Sequence, residues 1–464
     1  MLYLAVPLLL VRSDYFYLDT LPSPCQNDDH IIPLLFCGSF GPPLRLNGTN
    51  HTHSGDRRWH SYLSPSSSFV VAGRPALLSS TRSLSTIPAA AAAAPAAVTR
   101  DEVITGKDDC NVTDAIFDKI GTNLHHQPAH PLGIIKDVIY QYFDAKLPGK
   151  FNKFDDLRPI VPATANFDEV LVPKDHVSRS YNDTYYVNAD TVLRCHTSAH
   201  QAQMLRNGET HFLVTGDVYR RDSIDATHYP VFHQMEGVRV FSQEEADAAG
   251  MTMAALAEKD LKETLEGLTE KLFGKVEMRW VDAYFPFTEP SFELEIFYND
   301  QWLEVLGCGV MEQAILDANG RTGAKAWAFG LGLERLAMVL FSIPDIRLFW
   351  SQDDRFLKQF TAGDMTTRFQ PFSKFPMCWK DMAFWISPQF TENNLCEIVR
   401  SIGGDLVEEV KLVDEFTNKK TGKTSNCYRI TYRSMERSLT DEEINGLQEK
   451  VREAVSEKLG VELR

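Results

Sequence analysis

Between Tyr219 and Gly237 the chain reads YRRDSIDATHYPVFHQMEG, packing two arginines, three acids, two histidines and a glutamine into nineteen residues. HFLVTGDV (211–218) precedes it and VRVF (238–241) follows. Both flanks have strand character, so the stretch is expected to be a β-hairpin with a polar loop. Arg220 and Arg221 offer planar forks suited to phosphate oxygens. Phe232 offers a ring face to a base. Gln234 and Glu236 alternate with Met235, which puts both on one side of the sheet, where they can hold an ammonium group. The hairpin alone reads equally well as a salt-bridged surface element.

Outward from the hairpin, HPLGIIKDVIYQYF (130–143) has apolar residues at helical spacing, and an acidic, Ala-rich helix is expected over roughly 246–273. SFELEIFY (291–298) and WLEVLGCGVM (302–311) read as strands. The Gly-Cys-Gly in the second suggests backbone approached closely by a ligand. AWAFGLGLERLAMVLF (326–341) passes from strand to helix through Gly330 and Gly332, and Arg335 there supplies a guanidinium on a separate element. Clustered strands with helices around them imply an antiparallel sheet of α+β type. Past MTTRFQPFSKFP (365–376) a second unit begins: strand 378–386, helix 391–402, strands 405–415 and 425–435, helix 440–458 and a last short strand. Thr440 and Glu443 form a capping box for its second helix. This βαββαβ order is ferredoxin-like, a fold that by itself carries no function.

The chain has 464 residues and a net charge of −16. The acidity sits in the middle: residues 371–464 carry 14 basic and 16 acidic groups, against 26 and 42 in 101–370. Any nucleic-acid contact must therefore use a local face. The eight cysteines form no CxxC pair and are widely scattered, which argues against a zinc site and against a disulfide framework. From Arg57 to Arg100 there are five Arg and nine Ser and no Asp, Glu or Lys. That is the composition of an organelle transit peptide, and residues 1–100 are expected to be a transit or disordered region.

Together these motifs resemble the class II aminoacyl-tRNA synthetases. The strand–loop–strand with Arg220 and Asp222 is similar to their motif 2, and GLGLER (330–335) to their motif 3. THYPVFHQMEG, FPFTEP and HTSAHQ (196–201) resemble the phenylalanyl-tRNA synthetases in particular. The last unit, with DMAFWI and YRSMERSLTDEE, resembles the anticodon-binding domain of the single-chain organellar form. The implied organisation is a catalytic domain over 101–360, a linker over 361–370 and a ferredoxin-fold anticodon-binding domain over 371–464.

The resemblance also implies roles. Arg220 would grip the α-phosphate of ATP and the amino-acid carboxylate, and Arg335 the far phosphates while stacking on adenine. Phe232 would cover the other face of that base, His228 would reach the outer phosphates, and Asp222 belongs with this ATP-binding set. His196, Ser198, Gln234 and Glu236 would bind the backbone end of L-phenylalanine, Phe285 and Phe287 would edge its ring, and Ala328 would close the pocket. Glu304 would be a magnesium ligand. Read singly, Phe285, Phe287 and Ala328 are most simply core residues, and His196 a satisfied core histidine. The implied partners are ATP, phenylalanine and tRNA(Phe), with no membrane, a monomeric state, and an address in the mitochondrial matrix, the chloroplast stroma or both. Another adenylate-forming ligase on this fold and a non-catalytic paralogue are the rival readings.

Overall fold

The structure is a computed structural model, and it describes residues 97–371 and 375–464. Nearly all of the expected transit region lies outside the described residues. Helix Pro131–Lys146 begins with proline at its first position, and the His130 imidazole accepts from Leu132 N–H. Its periodic residues Ile134, Ile135, Val138, Ile139 and Phe143 are all buried. The single helix expected over 246–273 is two, Gln243–Ala249 and Met253–Phe273. Gly250 ends the first in the left-handed region at φ 65°, and the Thr252 side chain caps the second.

In chain order the first strands are β1 (Asn152–Phe154), β2 (Ile160–Pro162), β3 (Tyr186–Asn188) and β4 (Thr191–Leu193). They are followed by β5 (His211–Tyr219), β6 (Val231–Phe241), β7 (Glu277–Phe285), β8 (Thr288–Tyr298), β9 (Gln301–Met311) and β10 (Lys325–Gly332). β2, β4 and β3 form a small sheet, and the main sheet has the order β1-β5-β6-β10-β9-β8-β7. Its neighbours are antiparallel except for β1, which runs parallel to β5 at the edge. β7 was not anticipated from sequence. As an edge strand it exposes Glu277, Arg279 and Asp282, so no apolar run marks it.

The period-2 alternation of β10 separates two environments. Phe329 stacks on Phe143 of helix Pro131–Lys146 at 5.7 Å, and the Trp327 indole N–H donates to Asp260 of helix Met253–Phe273 at 2.8 Å. Gly237 of β6 faces the same side, where an added Cβ would strike the Phe329 ring at 2.2 Å. Ala328 and Gly330, with Gln234 and Glu236 of β6, therefore face the opposite side of the sheet. That is the side of the site.

The second unit comprises β11 (Cys378–Trp385), helix Glu392–Gly403, β12 (Val407–Thr417), β13 (Thr424–Tyr432), helix Asp441–Leu459 and β14 (Glu462–Leu463). Its antiparallel sheet has the order β12-β13-β11-β14, with both helices on one face, as the βαββαβ reading requires. The capping box is formed: Glu443 N–H donates to Thr440 Oγ1 at 3.3 Å, and Thr440 N–H donates to Glu443 Oε2 at 2.9 Å.

Candidate active site

Register places Glu236 opposite Val214 and Gly330, and Gln234 opposite Gly216 and Gly332. An added Cβ at Gly330 or Gly332 would meet nothing within 4 Å, so the space over these two residues is open. Gly216 is a different case, because a Cβ there would sit 2.1 Å from the Arg194 guanidinium. Gly307 and Gly309 also depart from expectation. Their close neighbours are the Phe285 ring at 2.7 Å and the Pro290 carbonyl at 2.4 Å, so protein rather than ligand makes the close approach.

One cavity is lined by Ser198, Gln201, Gln234 and Glu236 together with Phe285, Phe287 and Ala328. Ala328 lies one strand repeat from Gly330 along β10, opposite Val238 and Gly309, so the lining passes from polar at Glu236 to apolar at Ala328. Phe285 and Phe287 stack with centroids 5.8 Å apart. The Ser198 hydroxyl donates to Glu236 Oε2. Burial pushes the Glu236 carboxyl up to about 7, an effect partly offset by Ser198 and Gln201. Among the described residues its Oε1 has no hydrogen-bond partner. An ammonium group brought against Glu236 would supply one and favour the charged form.

His196 stands beside this lining rather than in it. Its Nε2 lies 2.9 Å from the Asn166 carbonyl, so Nε2 carries the proton and Nδ1 is an acceptor. Burial, then the Arg220 charge, pulls its pKa down to about 3, which keeps it neutral.

The expected ATP-binding residues form a second group. Arg220 Nε donates to the Cys195 carbonyl at 3.0 Å, and its guanidinium lies 5.0 Å from the Phe232 ring centroid. His228 Nδ1 is 2.6 Å from Asp225 Oδ2; burial works against its protonation, but Asp225 and Asp222 outweigh burial and raise its pKa. The Asp222 carboxylate accepts from Ser223 N–H at 2.9 Å. Arg335 Nη1 is 3.6 Å from Glu304 Oε2, which ties the expected metal ligand to the expected phosphate clamp. Arg221 is a correction. Its N–H donates to the Asp183 carbonyl and its guanidinium to that of Tyr181, so it does not join the phosphate group.

Burial raises the Glu304 carboxyl to about 7 despite Arg335, with Glu293 and Glu295 adding to the rise. Among the described residues no three His, Cys, Asp or Glu are arranged as a metal cage. Carboxylates short of a cage fit an ion such as magnesium, which takes its remaining ligands from phosphates and water.

Three residues without an assigned role organise the site. Glu334, inside GLGLER, accepts from His233 N–H at 2.8 Å and lies 2.7 Å from its Nδ1, joining the helix of Arg335 to the strand of Phe232. Arg194 binds Asp217 at 2.7 Å and contacts His200 Nε2 at 2.9 Å, fixing the segment that carries His196 and Ser198. Gln201 lines the cavity from the end of HTSAHQ. The signals were a glutamate inside a motif and a glycine in the middle of a strand.

The family described as tRNA synthetases class II core domain (F) matches residues 118–360, and the Ferredoxin-fold anticodon binding domain matches residues 373–464. The chain is 64% identical over 369 residues to the chloroplastic/mitochondrial phenylalanine–tRNA ligase of Arabidopsis thaliana, covering 79% of this chain and 86% of that one. It is 50% identical over 404 residues to the mitochondrial enzyme of Dictyostelium discoideum, covering 76% and 89%. To that of Mus musculus it is 49% identical over 389 residues, covering 77% and 86%. A cleft of this composition, a class II core and a ferredoxin-fold partner lie together in one chain, and the chain belongs to the class II aminoacyl-tRNA synthetases, in the phenylalanine–tRNA ligase family of the single-chain organellar kind.

Proposed function

We propose that this chain joins L-phenylalanine to tRNA(Phe) at the expense of ATP, in an organelle and as a monomer. The observation that supports it most is the single cavity in which a buried, under-partnered Glu236 shares walls with two stacked phenylalanines and a small Ala328. A carboxylate suits an ammonium group, and the aromatic wall suits a ring without polar substituents.

In the first step the phenylalanine carboxylate attacks the α-phosphorus of ATP. The bond from that phosphorus to the bridging oxygen breaks, pyrophosphate leaves, and an aminoacyl-adenylate remains. Glu236, Gln234, Ser198 and His196 hold the amino acid by its backbone end. Arg220 faces the α-phosphate, where charge grows in the transition state, while Arg335 and His228 face the outer phosphates. Phe232 and Arg335 flank the adenine. Magnesium, when bound, neutralises phosphate charge, and Glu304 is the residue proposed to hold it. In the second step the 2′-hydroxyl of the terminal tRNA ribose attacks the adenylate carbonyl and AMP leaves. The protein needs only positioning and fixed charge for both steps.

The test is pyrophosphate exchange with each amino acid, followed by charging of organellar tRNA. Exchange that depends on phenylalanine and is weak with other amino acids is expected. Exchange driven equally well by a non-aromatic amino acid would overturn the reading. A fluorescent fusion of the full chain should enter mitochondria, chloroplasts or both, in keeping with the names of its relatives.

A further inference from the structure

The middle of the loop that joins β5 to β6, residues 221–229, carries Asp222 and His228 and lies against the second unit. The catalytic core holds it near its ends and at one point between: Arg221 donates through its N–H to the Asp183 carbonyl at 3.0 Å and through its guanidinium to the Tyr181 carbonyl, the Ala226 carbonyl accepts from Ile346 N–H at 2.8 Å, and the Tyr229 ring stacks on Trp350 at 5.7 Å. The stretch between Arg221 and Ala226 is tied by the ferredoxin-like unit. Arg400, on helix Glu392–Gly403, donates to the Asp222 carbonyl at 2.7 Å. Val410 N–H, on the edge strand β12, donates to the Ile224 carbonyl at 3.0 Å, so the loop lies along an otherwise open sheet edge. The Ile224 side chain is 8% exposed and belongs to the hydrophobic core of the second unit, with Leu395, Val399 and Val407, rather than to that of the catalytic sheet. Tyr229 O–H donates to Asp405 at 2.6 Å. Arg400 is in turn fixed by Glu397, 2.8 Å away, which also accepts from the Tyr185 hydroxyl of the core at 2.8 Å.

From this placement we infer that the ferredoxin-like unit is also a structural part of the ATP site: through Ile224 and Arg400 it fixes the loop that presents Asp222 and His228, so nucleotide binding depends on its docking even when no tRNA is present. The reading rests on the proposed function for the nucleotide roles of Asp222 and His228, while the docking of the loop on the second unit does not. The residues between Arg221 and Ala226 have no core tie of their own and would sample many conformations, and each tie from the second unit removes some of that freedom before ATP arrives. Ile224 and Arg400 are positioning residues; neither is expected to touch substrate.

The test uses the full chain with Ile224→Ala and, separately, Arg400→Gln. Hydrogen exchange at residues 221–229 reads the loop directly, and tRNA-free pyrophosphate exchange reads its consequence. In both variants loop amides should exchange faster, and KM for ATP should rise about tenfold, the scale of one lost charge-assisted hydrogen bond for Arg400→Gln and of about two buried methylene groups for Ile224→Ala. KM for phenylalanine should stay within about twofold, because β6 and the Ser198 segment, not this loop, carry its contacts. Unchanged loop exchange, or equal rises in both KM values, overturns the inference. Should one variant fail to fold, the other reads the same tie. If wild type shows no phenylalanine-dependent activity, the functional reading fails, while loop exchange still decides whether the second unit scaffolds the loop.

Discussion

Glu236 joins a stability cost to its proposed binding role. Burial raises its folded pKa to about 7, above the ordinary glutamate value of 4.5, so between those two values the folded chain binds more protons than the unfolded one. The ligand-free protein therefore loses stability as pH rises from about 4.5 to about 7, with a full cost on the order of 3 kcal/mol above that window. Glu236→Gln removes the buried charge and should melt higher than wild type at pH 8 but not at pH 4. Phenylalanine should raise the melting temperature of wild type and leave the variant unmoved. KM for phenylalanine in wild type should climb as pH falls below 7, when the carboxylate is neutralised. A variant that melts lower at pH 8 would show that Glu236 is stabilised by partners it does not share with substrate. Ala328 offers a second test at this scale, since it lines the apolar part of the cavity and is 4% exposed. Ala328→Gly should admit para-chloro-phenylalanine in pyrophosphate exchange while still using phenylalanine, because one methyl in an apolar pocket is worth only about 1–3 kcal/mol. An unchanged ratio of the two substrates would move Ala328 away from the ring.

At the scale of elements, two glycines on neighbouring strands separate fold from function. A Cβ on Gly309 of β9 would lie 2.4 Å from the Pro290 carbonyl of β8, a backbone atom that cannot turn aside. Gly309→Ala should cost about 2–3 kcal/mol and lower the melting temperature, with activity falling as a consequence. A Cβ on Gly330 of β10 would meet no protein atom within 4 Å, yet it would project over Glu236. Gly330→Ala should leave melting nearly unchanged and reduce pyrophosphate exchange, and thermal scans beside kinetics check both outcomes. Equal melting of the two variants would contradict this division. Much of this layer was legible in the sequence. β6 falls on the predicted residues because VFHQMEGVRVF is rich in β-branched and aromatic residues and lies in the middle of the main sheet, buried on both faces. The break at Gly250 was missed because Ala-rich composition favours helix on both sides of it, and one left-handed glycine outweighs that propensity. The closeness of Arg335 to Glu304 was also hidden, since thirty-one positions separate them and only the register of β9 and β10 brings them together.

At the scale of the whole molecule, the composition change near residue 371 marks where the second unit starts but says nothing of how firmly it is held. Arg347 illustrates why. It follows the helix of the GLGLER motif and is 6% exposed, and its sequence neighbours give no hint of a distant partner. Its guanidinium pairs with Asp345 at 2.7 Å, donates to the Asp405 carbonyl at 3.0 Å and lies 3.8 Å from Glu408. Asp405 and Glu408 belong to the ferredoxin-like unit, so this cation reaches across both units. Removing one member of a buried ion cluster leaves the others uncompensated, at a cost of about 3–5 kcal/mol. Arg347→Met preserves most of the side-chain volume while deleting the charge, leaving Asp345 and Glu408 without their shared partner. Calorimetry of the full chain should give one cooperative transition for wild type, because neither unit can leave without breaking this cluster and the Arg400–Glu397–Tyr185 chain beside it. In Arg347→Met the transition should split, with the lower component removed by cutting the chain before residue 375. A single transition at the wild-type temperature would mean that apolar contacts around Ile224, rather than buried charge, join the units.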